Sequence, residues 1–154
     1  MGTFTRLTYH VVFSTRYRRK LIQREFQERL YQYIGGIIRF HKGQLIEIGG
    51  MEDHLHLLVI FSPARSISET IRDIKANASK WAKKHATTGY GFEWQKGYSA
   101  FTVSHLQIES VRRYIRNQPV HHRTRTFREE YMEFLKQHDI EFEARYLFES
   151  EHQG

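Results

Sequence analysis

His54, Leu55 and His56 open an apolar run, HLHLLVIF, whose length and composition suit a β-strand. Side chains two apart on a strand point to one face, so both imidazoles converge while Leu55 faces the other way. Two histidines so placed can share a metal ion. Alone, the tripeptide reads better as two half-buried histidines beside Leu57, Leu58 and Val59. Tyr114 and Gln118, in VRRYIRNQP, lie four apart and are neighbours on one helix face. For Tyr114 taken singly, packing of an amphipathic helix against a sheet is the stronger reading. Together the four residues have a chemistry that none has by itself. Imidazole and amide-oxygen ligands leave open positions on a hard divalent ion such as Mg²⁺ or Mn²⁺. Such an ion polarises a scissile phosphate and stabilises the leaving oxygen. A tyrosine that attacks a phosphodiester keeps the bond energy in a phosphotyrosine, available for rejoining, and needs no hydrolytic water.

The elements that must position these groups are legible around them. Residues 4–15, FTRLTYHVVFST, are β-branched and aromatic and predict a strand, followed by a basic turn. Phe26, Leu30, Tyr33, Ile34, Ile37 and Ile38 recur at helical spacing over 23–41. Residues 44–48 and 54–61 read as two strands, with Gly49-Gly50 taken as their connection. Ser66 and Glu69 form a potential capping box for a helix to about residue 85, with Ile67, Ile71, Ile74, Ala78 and Trp81 on one face. Residues 86–97 read as a loop and 98–103 as a fourth strand. Ser104 and Gln107 suggest a second capping box, opening a helix that runs to Pro119. A last helix is expected at about 127–138. The order β-α-β-β-α-β predicts an α+β chain: a ferredoxin-like (RRM-like) antiparallel sheet with additional C-terminal helices. That fold hosts many functions and decides none.

Composition narrows the partners. The chain has 154 residues, a length that suits one domain, and no repeat or Pro-rich linker. Its 24 Lys and Arg outnumber 17 Asp and Glu, giving a formal charge of +7 that favours a polyanion. Two runs hold no acid: residues 1–20, with Arg6, Arg16, Arg18, Arg19 and Lys20, and residues 112–128, with Arg112, Arg113, Arg116, Arg123, Arg125 and Arg128. Lys75, Lys80, Lys83 and Lys84 make a third group. These are the candidate phosphate contacts. Trp94, Tyr98 and Phe101 are candidates for base stacking, with core packing the stronger reading for Phe101. There are no cysteines, so disulfides and thiolate metal sites are excluded. No apolar run approaches the roughly 18 residues of a spanning helix, so no membrane partner is expected.

Five segments carry a family resemblance: YHVVFSTRYRRKLI (9–22), GGMEDHLHLLV (49–59), IKANASKW (74–81), WQKGYSAFTVS (94–104) and VRRYIRNQ (111–118). In that order they resemble the HUH single-tyrosine transposases of small insertion sequences, the "two-hundred" type, with their REP-associated relatives. The resemblance implies His54 and His56 as metal ligands, Gln118 as the third ligand and Tyr114 as nucleophile. It implies cleavage of single-stranded DNA through a 5′-phosphotyrosine, recognition of hairpin ends, a divalent metal and a bacterial or archaeal cytoplasmic setting. The whole of 1–154 is then one transposase domain with an extension from about 120. That extension is longer than in the shortest members and leaves a domesticated REP-associated protein open.

Strand exchange needs two nucleophiles, so a homodimer is expected. Tyr114 and Gln118 would serve their own chain's histidines or a partner's. Against the dimer, a tail carrying Phe127, Tyr131, Phe134 and Leu135 could fold back and pin the Tyr114 helix to its own domain. Other positions keep two readings. Asp53 either orients a metal-bound histidine or caps a loop. His10 reads as structural, and His121-His122 as surface or DNA-facing. Two other classes compete: a non-catalytic nucleic-acid-binding module, disfavoured by HLH where RNA-binding aromatics would stand, and a water-using metal nuclease, which would not need Tyr114.

Overall fold

A computed structural model of the chain describes residues 1–86, 91–144 and 147–148. Within the expected 86–97 loop, residues 87–90 lie outside the described residues, as do 145–146 and 149–154 of the C-terminal extension. The regular elements are β1 (Thr8–Ser14), α1 (Arg24–Phe40), β2 (Gln44–Met51), β3 (His54–Ile60), α2 (Ile67–His85), β4 (Ser99–Thr102), α3 (Ile108–Arg116), the single turn α4 (Gln118–His121) and α5 (Phe127–Gln137). Among the described residues no helix is long and apolar enough to cross a membrane.

The strands form one antiparallel sheet in the order β2-β3-β1-β4. This is the α+β arrangement expected from the element order. Strand alternation divides its side chains between two covered faces. Val11 and Phe13 of β1, with Leu55, Leu57 and Val59 of β3, turn towards α1 and α2. There they meet Phe26, Leu30, Ile34 and Ile38, the i, i+4 stripe of α1, and Ile71, Ile74 and Ala78 of α2. Burying each such large side chain contributes about 1.5–3 kcal/mol. Val12 and Phe101 point the other way, into a second cluster with Phe127 and Leu135 of α5. The tail therefore does fold back, and both sheet faces are covered.

Several boundaries differ from the sequence expectation. β1 begins at Thr8 rather than residue 4. Gly49 and Gly50 do not turn the chain: β2 continues through them to Met51, and the reversal falls at Glu52-Asp53. Their lack of a side chain serves packing instead. A Cβ on Gly49 would stand 2.5 Å from the Ile115 carbonyl oxygen of α3, and one on Gly50 2.1 Å from that of His54. Ser66 does cap α2, accepting from the Glu69 amide at 3.1 Å. Ser104 makes no side-chain cap; a 3-10 turn at His105–Gln107 leads into α3. That helix stops at Arg116, before Pro119, which sits in the first turn of α4 instead of ending a longer helix. This agrees with the preference of proline for helix starts, where its missing N–H costs nothing.

Candidate active site

His54 and His56 are both fully buried and share the sheet face beneath α3, α4 and α5. As expected from the alternation, Leu55 lies in the opposite core. Asp53 Oδ1 stands 2.7 Å from His54 Nδ1, so Asp53 orients the imidazole. His54 Nε2 is thereby turned to Gln118 Oε1, 2.8 Å away. His10, opposite Leu58 on β1, is hydrogen-bonded from Nε2 to His56 Nδ1 at 2.8 Å and holds the second imidazole from behind. Its role is structural. Burial, and then the neighbouring imidazole of His56, push the His10 pKa well down. His56 is lowered too, mainly by burial.

Although α3 ends before Gln118, Tyr114 and Gln118 reach the same point. Both donate to Glu130 Oε2, the phenol by a short hydrogen bond and the Gln118 amide nitrogen at 2.9 Å. Tyr114 lies edge-on to His56, with ring centroids 5.9 Å apart. Arg125 Nη2 donates to the phenol oxygen at 3.2 Å, and His121 stacks on the ring at 4.5 Å. Burial raises the Tyr114 pKa, and the charge of Glu130 raises it further, so the phenol is protonated at neutral pH.

Glu130 is the residue that sequence reasoning missed. It is 0% exposed, in the first turn of α5. Its Oε1 lies 3.0 Å from His56 Nε2, 3.2 Å from His122 Nε2 and 3.5 Å from His54 Nε2. Burial alone would raise its pKa, but the hydrogen bonds from His122 and His56 outweigh that and hold it far below the usual carboxylate range. A signal was available. Phe127, Glu130, Tyr131 and Phe134 recur at i, i+3, i+4 and i+7, which puts a carboxylate on the apolar stripe of a helix. His122 corrects a second reading: it is not a surface residue, since its side chain is 7% exposed and its Nδ1 sits 2.8 Å from the Arg125 carbonyl oxygen.

Ligand-type atoms of His54, His122 and Glu130 lie within 4.8 Å of one another, a cluster that could hold a metal ion. The donor set fits a divalent cation. Asp53 and the Arg125 carbonyl are acceptors, so in neutral imidazoles they take the Nδ1–H of His54 and His122. The Nε2 lone pairs then face the oxygens of Gln118 and Glu130.

With that geometry fixed, comparison with known proteins places the chain. Residues 3–118 match the family described as "Transposase IS200 like". The chain belongs to this family. It is similar to the ISDra2 transposase TnpA of Deinococcus radiodurans, 23% identical over 122 residues, which are 76% of this chain and 87% of that protein. Among solved structures it is similar to a candidate transposase from D. radiodurans R1, with a TM-score of 0.59 and 24% identity over 77% of this chain and 95% of the other. It is also similar to a REP-associated tyrosine transposase bound to a REP hairpin, with a TM-score of 0.60 and 17% identity over 79% and 74% of the two chains. These likenesses show the fold. The family makes the chain a DNA transposase, an enzyme of DNA cleavage and strand transfer. His122, Arg125 and Glu130 all lie beyond the matched residues.

The basic residues divide by what they touch. Arg18, Lys20, Arg123 and Arg125 line an open cleft of about 550 Å³ that also reaches Asp53 and His122. Arg16 pairs with Glu93 at 2.8 Å, and the Arg19 guanidinium lies over Tyr17. Arg112 and Arg116 are tied to Glu47 at 3.3 and 3.0 Å, while Arg113 is exposed. Lys75 donates to the Gln95 and Gly97 carbonyls at 2.7 and 2.6 Å. Lys80 is exposed on α2, the helix that covers the other sheet face. Of the stacking candidates, Phe101 is core, as expected. Trp94 is structural as well, packed edge-on to Phe13 and Phe92 with its Nε1 donating to the Lys75 carbonyl at 3.0 Å. Tyr98 is 38% exposed and accessible for stacking.

Proposed function

We propose that this transposase cleaves and rejoins single-stranded DNA through Tyr114, which becomes joined to a 5′ phosphate and frees a 3′ hydroxyl. One observation carries the reading. A phenol, two imidazoles and an amide nitrogen, from β3, α3 and α4, converge on one buried carboxylate within a single chain. A purely structural tyrosine has no need of that company. In the step, the Tyr114 oxygen bonds to phosphorus and the bond from phosphorus to the 3′ oxygen breaks. The phenol proton must leave as the new bond forms, and Glu130 Oε2 is the acceptor in contact with it. Arg125 donates to the same oxygen and favours the developing phenolate. The displaced 3′ oxygen takes up a proton. Asp53 and His10 fix the imidazoles so that His54, His56 and Gln118 would hold Mg²⁺ or Mn²⁺. When bound, the ion supplies polarisation of the phosphate and stabilisation of the leaving oxygen. The cleft lined by Arg18, Lys20 and Arg123 receives the strand. The substrate we assign is single-stranded DNA with hairpin ends, in keeping with the hairpin held by the REP-associated neighbour. The DNA is handled by a homodimer, since an exchange of two ends needs two nucleophiles.

The test is to incubate the protein with Mn²⁺ and a hairpin-bearing single strand labelled at its 3′ end, then run a denaturing gel. Wild type should give a protein-linked product that retains the 3′ label, and Tyr114→Phe should give none. An adduct with Tyr114→Phe, or a label retained only from the 5′ end, overturns the assignment. Cleavage by Tyr114→Phe at the wild-type rate without any adduct identifies a water-using nuclease instead.

A further inference from the structure

The Glu130 carboxylate presents its two oxygens to different groups. Oε2 accepts from Tyr114 and Gln118. Oε1 faces three imidazole nitrogens, of His54, His56 and His122, at 3.0 to 3.5 Å. The described ion-pair contacts of Glu130 are all to histidines, and none is to a Lys or Arg. Burying a full negative charge among neutral donors is costly unless a cation stands with it.

The proton inventory points the same way. The Arg125 carbonyl oxygen can only accept, so the Nδ1 of His122, 2.8 Å from it, must carry a proton. Asp53 Oδ1 likewise claims the Nδ1 proton of His54. In neutral imidazoles both Nε2 atoms are then bare lone pairs. They face Gln118 Oε1 at 2.8 and 3.1 Å and Glu130 Oε1 at 3.5 and 3.2 Å, which are lone pairs too. The Gln118 amide is held in this sense because its nitrogen donates to Glu130 Oε2. Lone pairs gathered this closely repel one another unless a proton on His122 or a cation sits among them.

We propose that the metal centre of this transposase extends beyond its histidine pair and Gln118 to a carboxylate and a third imidazole, Glu130 through Oε1 and His122 through Nε2. It rests on the metal-assisted reading above and deepens it. Both added ligands come from the segment beyond residue 118, so the C-terminal helix is part of the catalytic centre as well as its cover. The carboxylate brings a negative charge to a set that is otherwise neutral, and hard divalent ions favour oxygen ligands of that kind. It also joins ion and nucleophile, because the same group that binds the one holds the Tyr114 phenol in place.

The experiment measures Mn²⁺ binding to the full, DNA-free chain by calorimetry, for wild type, Glu130→Gln, His122→Gln and His54→Ala. Circular dichroism and metal-free Tm confirm that each is folded. Glu130→Gln, which keeps the shape and removes the charge, should bind Mn²⁺ at least about tenfold more weakly. His122→Gln should weaken it too and remove one imidazole nitrogen from the spin-echo modulation of bound Mn²⁺. Wild-type affinity in Glu130→Gln overturns the carboxylate ligand while a loss in His54→Ala leaves the histidine centre standing. Tighter binding in Glu130→Gln also overturns it, and would mean that the carboxylate and His122 form an ion pair that competes with the metal. Unchanged nitrogen modulation in His122→Gln removes His122 from the centre. Should Glu130→Gln fail to fold, Glu130→Asp is read on the same assay, with unchanged affinity counting against the proposal. No binding by wild type overturns both readings together.

Discussion

At the scale of single residues, the site combines groups whose positions the sequence shows with groups whose positions it hides. His54 and His56 were legible because strand alternation is a local rule, and both lie where that rule puts them, fully buried on one face. Replacing either with Ala should abolish cleavage while leaving single-stranded DNA affinity within about twofold, because the phosphate-binding term resides in the Lys and Arg of the cleft. Filter binding beside a cleavage assay checks this, and a variant that still cuts at the wild-type rate would remove that histidine from the reaction. Glu130 and His122 were hidden for a different reason. Their importance depends on where α5 and α4 dock, and no local period encodes docking. Only the misfit of a carboxylate between Phe127 and Tyr131 on an apolar stripe betrayed Glu130. Even that could not say which imidazoles it would meet.

At the scale of elements, the types were legible and the ends were not. The α1 stripe of Phe26, Leu30, Ile34 and Ile38 is long and regular, and all four side chains are buried as the period requires. Shorter cues were overruled by tertiary contacts. Gly49-Gly50 resembles a turn locally, yet the pair lies inside β2 because the backbone of α3 crosses it. This close approach fixes the height of α3 above the sheet, and with it the positions of Tyr114 and Gln118. Gly49→Ala should therefore lower stability by about 1–3 kcal/mol, the usual scale for forced overpacking. It should reduce adduct formation more than DNA binding, since the displaced element carries the proposed nucleophile and not the cleft. A denaturant melt beside the adduct assay separates the two effects. An unchanged Tm with unchanged activity would show that α3 is free to shift.

At the scale of the whole molecule, the question is whose tyrosine serves whose histidines. The chain holds a complete set of its own: Tyr114 is edge-on to His56, and Gln118 Oε1 lies 2.8 Å from His54 Nε2. The segment after α3 secures this arrangement. Phe127 stacks on His54 at 4.1 Å, Phe134 lies edge-on to Tyr114 at 5.5 Å, and the capping box of Thr126 and Glu129 gives α5 a firm start. For Tyr114 to serve a partner, α3 and α4 would have to leave Glu130 and break its bonds with Tyr114 and Gln118, exposing the buried charge. An exchanged site is thus disfavoured even in the proposed homodimer. Mixing inactive His54→Ala with inactive Tyr114→Phe should restore no cleavage, although light scattering should find dimers and tagged pull-down should find mixed ones. Recovery of a quarter or more of wild-type adduct from the mixture would show that the Tyr114 helix does cross between chains, and that α5 releases it. A monomer at the working concentration would leave the within-chain site intact and remove the dimer, so that each molecule would have to cut its two ends in succession.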